Sequence, residues 1–335
     1  MTAMAISRCN KCGAFAEHQR EQVGIKHDCV LCGTSTLVYD TVFFVKKLSD
    51  MYFSQRKELN ELRQPSTDAA QAVETAQIAS ERPSESFDIH NSDLLSSDAQ
   101  HAPIIAWFKT KNINAIANID AVDTTGFFDE AAVAIGSDYE LLGEVCERIR
   151  YAQQKQFNSN RIYLDKKSKE DAIALESFIQ RLYDHSLIAR CISNKKENNI
   201  LIILQNALSV RRFFAGDWLE WYALMIGLRI CQERKVEYAC ARNMTLSFSG
   251  NEKRELDVFF LINKTQPLYI ECKSGDFRQE LDKYAALRKR LNIDQKYFIL
   301  CVADLDSEQC KGLSAMYGMT FLNTQTLGQH FLTLI

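Results

Sequence analysis

The sequence contains no apolar run that approaches the roughly 18 residues a helix needs to cross a membrane. Its first residues also lack the apolar centre of a secretory signal peptide and carry Arg8, Lys11 and two cysteines instead. We therefore expect a cytoplasmic protein with no membrane partner.

A dominant charge is absent as well, because 40 Lys and Arg residues nearly balance 43 Asp and Glu residues and leave a formal net charge of -3. Without a global positive field, a nucleic-acid partner would have to meet local basic patches or a partner subunit. The 335 residues are 46% hydrophobic and 25% charged, which is typical of a soluble chain with two or three folded domains.

Proline is scarce, with only 4 residues in the chain. Pro65, Pro83 and Pro103 lie at or inside the borders of a stretch rich in Ser, Gln, Asp and Ala. This stretch has too few apolar residues to bury a core of its own. Residues 49–102 are therefore predicted to form a polar helix followed by a flexible linker.

Cysteine, in contrast, is plentiful at 11 residues, and four of the cysteines form a spaced set. Two Cys-x-x-Cys-Gly knuckles supply Cys9, Cys12, Cys29 and Cys32, the pattern of a tetrahedral four-thiolate zinc site. Redox dithiols or unpaired cysteines are the alternatives.

Residues 1–48 are therefore predicted to form a zinc ribbon with a structural Zn²⁺, and residues 36–45 supply a further strand. Ribbons of this kind bind nucleic acid or a protein partner, and the sequence does not say which. We expect His18 and His27, which lie between the knuckles, to be loop residues.

The middle of the chain, residues 103–206, is predicted to be an α+β module. A helix followed by a hairpin with a basic tip resembles a winged helix, and the alternative is a plain packing module whose hairpin tip is only solvated. Four helices are predicted in this module. Two begin near residues 104 and 126, and two cover 139–157 and 168–185. The predicted strands cover 161–164, 187–193 and 200–205.

The stretch 216–230 predicts a helix that is apolar almost all round, so it should be buried on most faces. Between Trp218 and Ile230, Glu220 and Arg229 are its only charged residues. Glu220 stands three residues after Asp217, the spacing of a capping box, and it could also face a metal ion from the first turn of the helix.

Two strands that follow, predicted at 254–263 and 268–273, carry charged residues at alternating positions. Because side chains repeat every two residues in a strand, Glu255 shares a face with Asp257, and Glu271 shares a face with Lys273. An ordinary surface strand with an ion pair across its face would show the same spacing.

The order of a glutamate on a helix, an aspartate on a strand and Glu-x-Lys on the next strand resembles the PD-(D/E)XK nuclease superfamily. More narrowly, Gly216-Asp-Trp-Leu-Glu220, Glu255-Leu-Asp257-Val258 and Tyr269-Ile-Glu271-Cys-Lys273-Ser-Gly275 are similar to the C-terminal endonuclease domain of CRISPR ancillary nucleases activated by cyclic oligoadenylate. Helices at 277–291 and 307–317 and strands at 297–303 and 319–323 continue this plan.

The resemblance implies an α/β multidomain chain whose residues 207–335 form a restriction-endonuclease-like αβββαβ core. Two departures stand out: Leu256 occupies the position of the superfamily's proline, and no nucleotide-sensing Rossmann-like domain is recognisable. Activation by a cyclic nucleotide is therefore not part of the prediction.

The resemblance implies that Asp257, Glu271 and the backbone carbonyl of Cys272 bind Mg²⁺ or Mn²⁺ in this chain. Glu220 would ligate a second ion or hold a water, and Lys273 would orient or deprotonate the attacking water. Glu255 is predicted to be an accessory acid of the site. The basic residues predicted to contact the phosphate backbone lie on the following helix and are Lys283, Arg288, Lys289 and Arg290.

The resemblance thus implies a metal-dependent endonuclease, with DNA favoured over RNA, that acts in antiviral or mobile-element defence. Members of the superfamily often pair, which implies a homodimer. The alternatives are an inactive nuclease-like module that binds nucleic acid or protein, and a nuclease subunit that cuts only inside a complex.

Overall fold

In the computed structural model, residues 5–9, 11–12, 14–41, 45, 98–118, 126–250 and 252–335 are described. They belong to two compact units, Met1–Pro83 and Ser84–Ile335. The polar helix and most of the linker predicted at residues 49–102 lie outside the described residues.

The first unit is a four-stranded antiparallel sheet with the order β2-β1-β4-β3. Each cysteine knuckle lies in the turn of a hairpin, where Cys9 N–H donates to Ala14 O at 2.8 Å and Cys29 N–H donates to Thr34 O at 2.9 Å. The strands are β1 (Ala5–Arg8), β2 (Phe15–His18), β3 (Lys26–Asp28) and β4 (Ser35–Asp40). His18 and His27 therefore lie on strands, and the expectation that they are loop residues is wrong.

The second unit is built on a six-stranded sheet with the order β13-β12-β11-β10-β9-β5. Strands β5, β9, β10 and β11 are paired antiparallel with one another in that order. Strand β12 pairs parallel with β11, and β13 pairs parallel with β12. The strands are β5 (Asn114–Ile116), β9 (Tyr238–Ser247), β10 (Lys253–Ile262), β11 (Gln266–Lys273), β12 (Phe298–Val302) and β13 (Thr320–Leu322).

Nine helices of the second unit are described. They are α1 (Asp98–Lys109), α2 (Phe127–Ser137), α3 (Tyr139–Gln154), α4 (Lys169–Asp184), α5 (Leu208–Arg212), α6 (Trp218–Glu233), α7 (Leu281–Leu291), α8 (Ser307–Tyr317) and α9 (Thr324–Leu334). A π-helical turn, Phe213–Asp217, joins α5 to α6. No helix in the described part of the chain combines the length and the apolar content that crossing a membrane requires.

Strand β10 is covered on both faces, as its continuous apolar run predicts. Val258 and Phe260 belong to the core on the α6 side, whereas Phe259 and Leu261 belong to the core on the α1 and α7 side. All four side chains are at most 1% exposed. The two ends of this rigid strand therefore have well-defined positions.

Helix α6 buries most of its surface, which confirms the helix predicted from its apolar composition. The order α6, β9, β10, β11, α7 and β12 reproduces the predicted αβββαβ core, and the α/β multidomain class is confirmed. Strand β5 and helix α9 were not expected from the sequence.

A separate three-stranded antiparallel sheet with the order β6-β8-β7 completes the second unit. Its strands are β6 (Ser159–Tyr163), β7 (Ile188–Asn194) and β8 (Asn199–Leu204). Ser168 caps α4 by accepting from Asp171 N–H at 3.0 Å, as its sequence pattern predicts. The hairpin β7–β8 follows α4, so the middle of the chain has the expected α+β composition.

Elements on both sides of the predicted boundary at residue 206 share one sheet and one core. Ala115 of β5 pairs with Leu246 of β9, and the core around α6 includes Ile162 of β6. The domain boundaries stay a prediction.

Candidate active site

The predicted acids of β10 and β11 lie at one end of that strand pair. Val258 pairs with Ile270 in the antiparallel register, and Asp257 and Glu271 are the next residues outward from this pair. The Cys272 N–H donates to Asp257 Oδ2 at 2.8 Å, which holds the aspartate against the neighbouring strand. Both carboxylates are buried, with exposed fractions of 9% and 4%.

Both carboxylate oxygens of Glu271 have donors. Lys273 Nζ lies 2.7 Å from Glu271 Oε1, and the Tyr269 hydroxyl donates to Glu271 Oε2. Burial alone would lower the pKa of Lys273, but the negative charges of Glu271 and Asp257 raise it above its usual range. Lys273 and Glu271 therefore form a charged pair at the end of β11.

Glu220 lies in the first turn of α6 and is paired with a buried arginine of β9. Arg242 Nη1 lies 2.8 Å from Glu220 Oε2, and the Arg242 guanidinium carbon lies 3.8 Å from the centre of the Trp221 ring. Burial raises the pKa of Glu220 to about 7, although the Arg242 charge opposes the rise.

The capping box expected between Asp217 and Glu220 is wrong, because the Asp217 side chain does not cap α6. Asp217 Oδ2 pairs instead with Arg212 Nε at 3.2 Å. Glu220 is therefore not used in a cap, and its carboxylate is directed to Arg242.

Asp257 is the point where the charges of these groups meet. Burial raises its pKa well above the usual range, and the charges of Glu271 and Glu220 raise it further, with only Lys273 and the Cys272 N–H opposing them. The site holds three carboxylates against the two cations Lys273 and Arg242. Such a buried excess of negative charge fits a bound cation.

Asp257, Glu271 and the Cys272 carbonyl are oxygen donors, which is the ligand type that Mg²⁺ and Mn²⁺ prefer. Among the described residues, the only group of three or more side-chain ligands that converges within 4.8 Å is the set of four cysteines. A cation between β10 and β11 would thus rely on two carboxylates and a backbone oxygen. Glu255 is exposed on β10 two residues before Asp257.

The four cysteines fit a structural metal ion. Cys9 Sγ lies 3.4 Å from Cys32 Sγ, and Cys12 Sγ lies 3.5 Å from Cys29 Sγ. Four thiolates at this spacing suit tetrahedral zinc, so the knuckles can hold the ion that their sequence predicts.

Three of the four basic residues predicted on α7, Lys283, Arg288 and Arg290, have partners within the chain. Lys283 Nζ lies 3.4 Å from Glu280 Oε1, and Arg288 Nη1 donates to Ile293 O at 3.1 Å. Arg290 pairs with Glu252 at 2.7 Å. Contact between these residues and a phosphate backbone stays a prediction.

Two arginines at the site were not found from the sequence. Arg150 of α3 donates from Nη1 to Ser274 O at 2.9 Å, directly after Lys273, and its Nη2 lies 2.5 Å from Glu147 Oε2. Arg150 is 124 residues away from Ser274 in the chain, and Arg242 lies on a strand without a recognised motif. Tyr269 was identifiable, because it stands two residues before Glu271 and shares its face.

Gly216 lets the start of α6 approach the same turn. Its φ of 157° is unfavourable for other residues, and a Cβ there would lie 2.9 Å from Ser274 Oγ. The turn after β11 is therefore bonded by Arg150 and closely approached by the backbone at Gly216.

No family model matches the chain, and no curated protein sequence does so either. Two solved structures are similar in fold, each at 15% identity over 69% of this chain with a TM-score of 0.47. One is protein VC1899 from Vibrio cholerae, and the other is Can2 from Sulfobacillus thermosulfidooxidans in complex with cyclic tetra-adenylate. The match spans 60% and 59% of those chains, less than two thirds of their length.

Proposed function

We propose that this chain is a Mg²⁺- or Mn²⁺-dependent endonuclease of the PD-(D/E)XK type that hydrolyses phosphodiester bonds of DNA. The observation that carries the proposal is the group formed by the buried acids Asp257 and Glu271, the partly buried Glu220 and Lys273 at one end of the β10–β11 pair. Burial and mutual repulsion disfavour the ionised forms of Asp257 and Glu220. A divalent cation would favour those ionised forms and supply the positive charge that a phosphate substrate requires.

Each side chain has a distinct role in the proposal. Asp257 and Glu271, with the Cys272 carbonyl, hold the cation, which when bound polarises the phosphate and lowers the pKa of a bound water. Tyr269 fixes the orientation of Glu271 through its hydroxyl. Lys273 places its ammonium group where negative charge grows on the phosphate.

Glu220 has the remaining role. Because Arg242 holds one of its oxygens, the carboxylate is fixed in direction and can accept a hydrogen bond from a water beside the cation. The same acid could serve a second cation.

The direct test is cleavage by purified protein. Plasmid, single-stranded DNA and RNA would each be incubated with Mg²⁺, Mn²⁺ or EDTA, beside the near-isosteric variants Glu271→Gln and Asp257→Asn. We expect DNA cleavage that EDTA abolishes and that either variant lowers by about 10²–10³-fold, the usual loss when one group that stabilises transition-state charge is removed.

Cleavage of equal rate by wild type and both variants would refute the assignment. Absence of cleavage by wild type under every condition, with oligonucleotide binding retained, would identify a nucleic-acid-binding protein on a nuclease-like fold.

The same proposal includes a structural Zn²⁺ in the first unit, where the sheet and its knuckles offer a surface for a protein or nucleic-acid partner. It also includes a homodimer, which would bring two sites to opposite strands of a duplex, and a role in antiviral or mobile-element defence. Sedimentation of the purified chain tests the dimer, and metal analysis tests the zinc.

A further inference from the structure

The three-stranded sheet of the second unit is covered on one face only. Ile162, Ile200 and Ile202 point to the side of α3 and α4 and are at most 3% exposed. Cross-strand pairs place the alternate residues on the opposite face, with Arg161, Leu201 and Ile192 in one row and Ile203 and Arg190 in the next. We call this opposite side the open face.

The open face is apolar in its centre and aromatic at one corner. Leu201 and Ile203 of the middle strand are half-buried, Ile192 is 42% exposed, and Tyr163 at the end of β6 is 48% exposed. No acidic residue stands on this side of the strands. Asn199 is buried, and the remaining positions are Ser159, Arg161, Tyr163, Arg190, Ile192, Asn194, Leu201 and Ile203.

Its two arginines differ from most others in the second unit. Neither Arg161 nor Arg190 has an ion-pair partner in the part of the chain that the structure describes, and both are exposed. Several other arginines with partly or fully exposed side chains are paired with acids, namely Arg148, Arg212, Arg229, Arg254, Arg278 and Arg290. Arg181, Arg211 and Arg234 are exposed without an ion pair among the described residues, but they lie on or directly after helices and not on this sheet. Because β8 separates their strands, the two arginines stand on opposite sides of the apolar centre, on backbones about 10 Å apart.

The hairpin tip next to this face adds further positive charge. Lys195 and Lys196 are exposed, while Glu197 at the same tip accepts from the Asn199 side chain at 3.2 Å. The open face therefore combines four exposed cationic side chains with an apolar strip and a tyrosine ring.

The charge and the apolar area of the open face distinguish among three possible ligands: a second copy of the chain, a DNA duplex and a single strand. A second copy of the chain would set arginines against arginines, which is unfavourable. A DNA duplex offers phosphates but keeps its bases stacked, so the apolar strip and Tyr163 would have no partner. A single strand offers phosphates for the arginines and unstacked bases for the tyrosine and the aliphatic residues.

One helix connects the open face to the proposed catalytic strand. The Asn160 side chain of β6 donates to Arg148 O of α3 at 2.7 Å, and Arg150 of the same helix donates to Ser274 O after β11. The sheet and the turn that follows Lys273 are therefore both fastened to α3. A strand bound on the open face would be held by the same rigid body as the site.

We propose that the open face binds a single-stranded segment of DNA. The choice of DNA as the nucleic acid rests on the proposed function, whereas the preference for a single strand rests on the chemistry of the face.

The test is binding of a fluorescein-labelled single-stranded oligodeoxynucleotide to the full chain in EDTA, followed by anisotropy over a range of salt concentrations. The double variant Arg161→Gln/Arg190→Gln should weaken binding about tenfold or more and reduce the salt slope by about 1.4, the value for two lost phosphate contacts on a single strand. Tyr163→Ala should weaken binding about tenfold with an unchanged slope, since it removes base stacking.

The matched control is Arg148→Gln/Arg229→Gln, which removes the same charge from arginines paired with acids on their own helices. We expect it to bind the oligonucleotide like wild type. Equal binding by wild type, the control and the open-face variants would overturn the inference. Binding of single-stranded RNA but not DNA, or a dimer that the open-face variants dissociate, would overturn it too.

The outcome is separable from that of the proposed function. Glu271→Gln should keep full binding, because Glu271 does not lie on the open face. Loss of binding by the open-face variants in a chain that never cleaves would refute the nuclease and leave the binding face. Cleavage by a chain whose open-face variants bind normally would refute the binding face alone.

Discussion

The cysteine site of the first unit and the acidic site of the second differ in what holds their ligands. Of the described residues in the first unit, only Ala5, Cys9 and Val38 form a buried apolar core. The second unit has two extensive cores, one on each side of β10. In the first unit the metal is expected to hold the fold, whereas in the second the fold holds the charged groups.

The difference follows from chain length and chemistry. A domain of this size buries too little apolar surface to be stable alone, and metal binding then supplies the folding free energy. A large core can instead keep three carboxylates together despite their repulsion. Loss of the metal should therefore affect the first unit most, and loss of apolar packing should affect the second.

The largest effect is expected on removing zinc. Cys29→Ser, or a strong chelator, should unfold the first unit, because zinc contributes about 10–16 kcal/mol to such a domain. Metal analysis and amide chemical shifts of residues 5–41 would measure it. Cys146→Ser, at a buried cysteine of α3, is the control that should leave those shifts unchanged. A folded first unit without metal would break the comparison.

The second prediction concerns the apolar core of the second unit, whose loss should leave the metal site of the first unit unchanged. Phe260→Ala opens a cavity where the side chain is fully buried, and should lower the free energy of unfolding of the second unit by about 3–5 kcal/mol. Denaturant titration followed by tryptophan fluorescence would measure it, since every tryptophan of the chain lies in that unit. Zinc content should not change, and a parallel loss of zinc would contradict the separation of the two units.

The third prediction concerns Asp257, whose negative charge is disfavoured by burial and by Glu271 and Glu220. Asp257→Asn should abolish most cleavage, by about 10²–10³-fold, without lowering the thermal unfolding temperature. Glu237→Gln, at a carboxylate 60% exposed, is the control that should leave cleavage unchanged. A loss of stability similar to that of Phe260→Ala would show that Asp257 serves the fold rather than the site.

The smallest effect is expected at Arg150. Arg150→Gln removes the donor to Ser274 O and should lower cleavage about tenfold through kcat, because the turn after Lys273 loses a charge-assisted hydrogen bond. Arg150→Lys should recover part of the rate. Arg148→Gln, two residues earlier on the same helix, should cleave like wild type, and an equal loss there would indicate a general effect on α3.

Helices and strands could be predicted from the sequence where a clear residue pattern lies within the element itself. The alternation of side chains identified the charged faces of β10 and β11, and a continuous apolar run identified the interior of β10. Helical periodicity identified α3 and an all-round apolar composition identified α6, because these patterns lie within single elements. Strand β5 has only three residues, so it has no pattern long enough to recognise. Helix α9 was missed although its 11 residues equal the length of the predicted helices α7 and α8.

The same reasoning applies to the candidate site. Glu271 and Lys273 share a strand, so their pairing at 2.7 Å follows from spacing alone. The partners of other groups at the site come from distant parts of the chain, since the Glu220 carboxylate pairs with Arg242 of β9 and the Ser274 carbonyl accepts from Arg150 of α3. No local pattern encodes a contact across 124 residues.

The four cysteines of the metal site, the order of the αβββαβ core and the charged end of β11 could be predicted from short stretches of sequence, because each depends on residues close together in the chain. The burial of Asp257 near Glu271 and Glu220, the contacts of Arg242 and Arg150, and the open face of the small sheet could not be predicted in this way. Those outcomes depend on how the helices and strands pack, and packing is set by the whole core rather than by any one segment.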